Sequence, residues 1–199
     1  LDQAWLLDRI LAAARAHGIG GTLVLDNHHD LAHGAAFPYG DDAATRAERF
    51  LAAPLPPAYQ RRLGYLLARY GADDAIVAWE LFNEVDLAFN DHHPAPAAQH
   101  EALATRWVEA AGSWLHAHDP DRRLVTVSLA NANWPAVFRT PAVDLIQVHS
   151  YVPDFAISSP FHHDGIALLA DAMLPYAAIG KPLIAGEVGH HGTEGDVPG

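Results

Sequence analysis

Two glutamates stand out by type and place. Glu84 follows the apolar run 75–82 (AIVAWELF), and Glu187 closes the run 183–187 (LIAGE). Carboxyl groups at the ends of two different strands, with two further strands between them, can face each other across the narrow mouth of a barrel. Cleavage of a glycosidic bond needs such a pair. One carboxylic acid protonates the leaving oxygen, while the other attacks the anomeric carbon or activates water. A strand-end carboxylate taken singly is explained as well by a helix cap or an ion pair. For the pair, the motifs around the two residues, set out below, favour the chemical reading.

Other strand ends carry polar residues too. Asp26-Asn27-His28 ends the run that begins at residue 22, Asn83 precedes Glu84, Ser128 ends the next run, and His149 and Tyr151 end the one after. In a parallel α/β fold the loops that follow strands converge at the C-terminal edge of the sheet, which is where sites form. Five strands with polar ends therefore point to one shared pocket. Parity along the strand puts Glu80 on the same face as Glu84, one layer deeper, and Asp26 below His28. A buried charge needs a partner, so Glu80 reads as a structural carboxylate.

Several other chemistries are excluded or weak. There is no Gly-x-Gly-x-x-Gly after the first strand, no phosphate loop and no Gly-x-Ser-x-Gly elbow. The absence of cysteine removes disulfides, thiolate metal sites and a thiol nucleophile. The 14 histidines raise a metal reading, in which His28, Asp30 and His33 would bind an ion if their loop folded back. Neighbours on a strand point to opposite faces, so His28 and His29 cannot both ligate from one strand. His92, His93, His162 and His163 read as loop residues.

The elements that must hold these residues alternate along the chain. Helices are expected at 2–17, 57–70, about 97–117 and about 164–179, with a short irregular or helical stretch around 134–139. Strands are expected at 22–28, 75–82, 123–129, 144–149 and 183–187. A loop runs from about Asp30 to Pro54, and the glycine-rich tail 188–199 shows no element. The strands are near-continuous apolar runs, as in a parallel sheet covered by helices on its faces. Trp5, Trp107 and Trp114 fall in helical patterns and are expected to pack on the sheet, and Trp79 in the core. Trp134, in the loop after the third strand, could stack on a sugar ring or pack inside.

The 199 residues suit one domain, with 50% hydrophobic and 18% charged residues. Twelve Lys and Arg against 24 Asp and Glu leave a formal charge of −12, which argues against nucleic acid or an anionic membrane surface as partner. No apolar run approaches the ~18–20 residues that span a bilayer.

Four motifs in order resemble one enzyme group. Trp79-Glu80-Leu81-Phe82-Asn83-Glu84 is similar to the fourth strand of clan A glycoside hydrolases, and 181–189 (KPLIAGEVG) to the seventh. His149-Ser150-Tyr151 resembles the His-x-Tyr that ends the sixth strand, and Asp26-Asn27-His28 the Asp-x-His that ends the third. The resemblance is to glycoside hydrolase family 5, with its cellulase- and mannanase-like members. It implies a (β/α)8 TIM barrel represented by about strands three to seven. Residues 1–199 would then be a single incomplete catalytic domain, without the strand-two Arg and the strand-eight Trp of the family.

It further implies a retaining β-glycosidase that needs no cofactor and acts on a β-glucan or β-mannan type of carbohydrate. Glu84 would be the general acid/base and Glu187 the nucleophile. Asn83 would hold the sugar 2-hydroxyl, Tyr151 would bond Glu187, and His28 and His149 would line the sugar subsite, with Trp134 a further sugar contact. A secreted enzyme is expected from a polymeric substrate. Two rivals are a metal-dependent hydrolase built on the His/Asp clusters and a non-catalytic carbohydrate-binding barrel piece.

Overall fold

The computed structural model describes residues 2–29, 54–89, 96–130, 133–152 and 165–190. The expected loop 30–54 therefore lies almost wholly outside the described residues. So do Asp30 and His33, the His92-His93 and His162-His163 pairs, and the tail beyond His190.

The chain runs α1 (Asp2–Ala16), β1 (Gly21–Val24), α2 (Pro57–Tyr70), β2 (Ile76–Glu80), a 3-10 turn (Val85–Phe89) and α3 (Ala97–His118). It continues through β3 (Leu124–Thr126), β4 (Ser128–Leu129), α4 (Pro135–Arg139), β5 (Ile146–Val152), α5 (Gly165–Ala177) and β6 (Leu183–His190). Among the described residues every strand pair is parallel, in the orders β1-β2-β3 and β4-β5-β6.

The strand expected at 123–129 is divided at Val127. The two halves still belong to one arc, because main-chain bonds cross the break. Leu81 N–H donates to Thr126 at 2.8 Å, Ser128 N–H to Phe82 at 3.2 Å, and Asp144 N–H to Val125 at 2.8 Å. The sheet thus follows chain order, each strand beside the next with a helix between, as in a barrel wall.

The core lies between the arc and its helices. Amphipathic spacing selects the buried face of α3, which is Ala104, Trp107, Val108, Ala111, Gly112 and Leu115. Trp107 meets Phe82 edge to face and tilts against Tyr59 of α2. Trp79 is fully buried, and its indole N–H donates to Asp119 at 2.8 Å. Trp114 is partly buried against the same core. Trp5, expected to pack on the sheet, is instead exposed. Helix α1 flanks the end of the arc, and among the described residues only one of its sides is covered.

Arg123 ties the N-terminal edge of the sheet together. It donates to the carbonyls of Gly71, Asp73 and Ile76 and pairs with Asp119. Lys181 does similar work before β6, with Nζ donating to the carbonyls of Phe138, Thr140 and Val143 at 2.6–2.7 Å.

Three strand ends differ from expectation by three or more residues. β5 runs on to Val152 and β6 to His190, because the two pair with each other over their whole length. β1 stops at Val24, and only an isolated bridge between Asn27 and Asn83 continues it. Parity is lost across that break, so Asp26 does not sit below His28. It turns to α2, where Tyr59 Oη donates to it at 2.9 Å and Arg62 Nη1 at 2.6 Å.

Candidate active site

Glu84 and Glu187 meet at the C-terminal edge of the sheet, with His149 between them. One ligand atom from each of the three lies within 4.8 Å of the others. His149 Nδ1 is 2.9 Å from Glu84 Oε1 and 3.5 Å from Glu187 Oε2. The imidazole is fully buried. The Glu84 side chain is 12% exposed and that of Glu187 40%. Tyr151 Oη donates to Glu187 Oε2 at 2.6 Å, and this bond pushes the phenol up to about 12, so it remains a donor at neutral pH. His28 Nδ1 stands 3.5 Å from Glu84 Oε2. Burial holds His28 below its ordinary value and so favours the neutral ring, although Glu84 and the Asn83 main chain pull the other way.

Local backbone geometry aims both glutamates. Glu84 adopts φ 57°, a left-handed conformation that is costly for a residue with a side chain and occurs where surrounding structure enforces it. The enforcing contacts are the donation of Glu84 N–H to Ser128 Oγ at 2.8 Å and of Asn83 N–H to the Asp26 carbonyl at 2.8 Å.

Glu187 depends on a β-bulge. Val148 pairs with Ala185, but His149 pairs with Glu187, so Gly186 is the extra residue. Gly186 faces Gln147, on the inner side of the arc. Strict alternation would then send Glu187 outward, and the bulge returns it to the mouth beside His149.

A second layer lies beneath. Glu80 is buried, as parity predicts, and is bound by Ser128 Oγ at 2.7 Å and Gln147 Nε2 at 2.9 Å. Burial pushes its carboxyl above the usual range despite these bonds. Gln147 also approaches His149 Nε2 at 3.5 Å. In the sequence Ser128 stands out only as a polar strand end, and Gln147 belongs to no motif. The signal for Gln147 was its position two before His149, hence on the same strand face.

Trp134 is not part of this group. It is half-buried against the core, edge on to Phe89 at 5.7 Å. Among the described residues, Glu84, His149 and Glu187 are also the grouping with the spacing to hold a metal ion.

The family model for cellulase, glycosyl hydrolase family 5, matches residues 2–198. The chain belongs to glycosyl hydrolase family 5. Solved structures similar to this family member include an endo-beta-1,4-mannanase from Thermotoga petrophila, at 21% identity and TM-score 0.69 over 92% of this chain. A hyperthermostable endo-1,4-beta-D-mannanase from Thermotoga petrophila RKU-1 gives 20% and 0.68 over 96%. The endo-1,4-beta-mannanase from Rhizomucor miehei gives 16% and 0.66 over 92%. The match spans 45%, 60% and 58% of those three chains, less than two thirds of each. The fold of the family 5 chain is thus part of a TIM barrel. No curated protein matches it. No helix among the described residues is long and apolar enough to cross a membrane.

Proposed function

We propose that this chain carries the catalytic pair of a retaining β-glycosidase, with Glu187 as nucleophile and Glu84 as general acid/base. The observation that carries the reading is the approach of the two carboxyl groups at one sheet edge, with an oxygen of one within 4.8 Å of an oxygen of the other. Retaining enzymes hold their carboxyls ~5–5.5 Å apart, while inverting enzymes need ~6.5–9.5 Å to admit a water.

The reaction follows from that spacing. A Glu187 oxygen attacks the anomeric carbon as the glycosidic C–O bond breaks, and Glu84 gives its proton to the departing oxygen. A water then gives its proton to Glu84 and attacks the same carbon, which releases the Glu187 carboxylate. Tyr151 binds the Glu187 oxygen next to the nucleophile, and His149 holds Glu84. His28 and Asn83 line the sugar subsite beside the acid/base, and the packing of Trp134 against Phe89 favours its core role over a sugar contact.

The substrate is a β-linked glucan or mannan. The mannanases among the similar solved structures make β-1,4-mannan the first polymer to assay. The test uses the complete enzyme that contains this chain. Product anomers are followed by NMR, and the expected first product is the β-anomer. An α-anomer as first product would overturn the retaining mechanism.

One observation favours a second reading. The ligand spacing of Glu84, His149 and Glu187 also suits a divalent cation. Stoichiometric metal in the purified protein, with hydrolysis lost on its removal and regained on its return, would support the metal-dependent hydrolase instead.

A further inference from the structure

Glu80 makes no bond to substrate in the scheme above, yet both of its oxygens are bound, and each bond leads to Glu84. Ser128 has a single hydroxyl proton. Its oxygen accepts the Glu84 N–H at 2.8 Å, and its proton goes to Glu80 Oε1 at 2.7 Å. Gln147 Nε2 has two protons. One goes to Glu80 Oε2 at 2.9 Å, which fixes the amide, since the reversed amide would set oxygen against oxygen. The other faces His149 Nε2 at 3.5 Å. An N–H aimed at a ring nitrogen requires a lone pair there, so the ring proton resides on Nδ1. From Nδ1 it is donated to Glu84 Oε1 at 2.9 Å.

We propose that Glu80 is a positioning residue: through Gln147 it fixes His149 as the Nδ1–H tautomer that holds the Glu84 carboxyl, and through Ser128 it holds the Glu84 main chain in its left-handed turn. This rests on the reading of Glu84 as the acid/base. Gly186 completes the device. A Cβ at that position would lie 2.7–2.8 Å from Gln147 Cγ, Cδ and Nε2, so the glycine of the bulge leaves the amide its place. The same residue thus aims Glu187 and makes room for the relay to Glu84.

The experiment is histidine 15N NMR on the complete enzyme, combined with kinetics on an unactivated β-glycan and on an activated aryl glycoside. The wild-type His149 is expected to be protonated at Nδ1. Glu80→Gln and Gln147→Met should release that tautomer. They should lower kcat/KM on the glycan by ~10–100-fold, as removal of the partners that orient a metal-bound histidine does. The aryl glycoside, whose leaving group needs little protonation, should lose much less. Gly186→Ala should reproduce the tautomer change.

Protonation at Nε2 in the wild type would overturn the proposal, and it decides the matter even if the variants do not fold. Folded variants that keep the Nδ1–H form, or that lose both substrates equally, would also overturn it. An Nδ1–H histidine in a protein that cleaves no β-glycan would instead sink the glycosidase reading and leave the relay supported.

Discussion

At the scale of residues, Glu84 and Glu187 are held differently, and the difference matches their proposed tasks. Glu84 is mostly covered and has His149 at 2.9 Å and His28 at 3.5 Å, while Glu187 is more open and accepts a hydrogen bond from the Tyr151 phenol. Glu187→Gln is expected to remove nearly all turnover, because an amide cannot form the glycosyl intermediate. Glu84→Gln should slow unactivated glycosides far more than activated aryl glycosides in the first step. Equal losses would remove Glu84 from the acid role. Tyr151→Phe deletes a hydrogen bond to a charged partner, worth ~1.5–3 kcal/mol, and should lower kcat/KM by about 10–100-fold with the melting temperature nearly unchanged.

His28 gives a pH test of stability. Burial holds it below its ordinary 6.5, so in acid the unfolded chain takes the proton more readily than the folded one. Its contribution is therefore intact while the ring is neutral and is lost as pH falls through 6.5 towards the folded value. His28→Asn should flatten the fall of melting temperature over that range, and an unchanged slope would show that His28 does not cause it.

At the scale of elements, close approach sets what each segment tolerates. Gly112 lies on the buried face of α3, where a Cβ would come 2.5 Å from the Ala142 carbonyl oxygen and 3.0 Å from its Cβ. Alanine is the better helix former by ~1 kcal/mol, but here a backbone atom would have to move. Gly112→Ala is expected to destabilise by about 1–3 kcal/mol in denaturant unfolding, and stabilisation would mean that α3 can slide away from the segment before β5. The bulge at Gly186 and the break at Val127 are elements of the same kind. Each disturbs a ladder locally and each stands beside the carboxylate pair.

At the scale of the whole molecule, the arc formed by the described residues is open. Among them β1 and β6 are the end strands, and each has one unpaired edge. Among the described residues part of the inner face is also uncovered. Val24, Leu124 and Ile184, in register with Glu80, Ala78 and Gln147, are 43%, 48% and 41% exposed. Open apolar edges invite pairing between copies. The 199 residues expressed by themselves are therefore expected to be poorly soluble or loosely folded and to show no glycosidase activity. A soluble monomer that melts cooperatively and cleaves a β-glycan would contradict this.

The sequence by itself determined the alternation of helix and strand and the polar strand ends, Glu84 and Glu187 among them. Periodicity, caps and the point where an apolar run turns polar are local properties, legible in one stretch of chain at a time. Register is not local. That His149 pairs with Glu187 while Gly186 bulges, that β1 stops at Val24 and frees Asp26 for α2, and that Gln147 reaches both Glu80 and His149 are set by contacts between segments distant along the chain. Only the tertiary structure decided them, because a one-residue shift between neighbouring strands reverses every side chain beyond it.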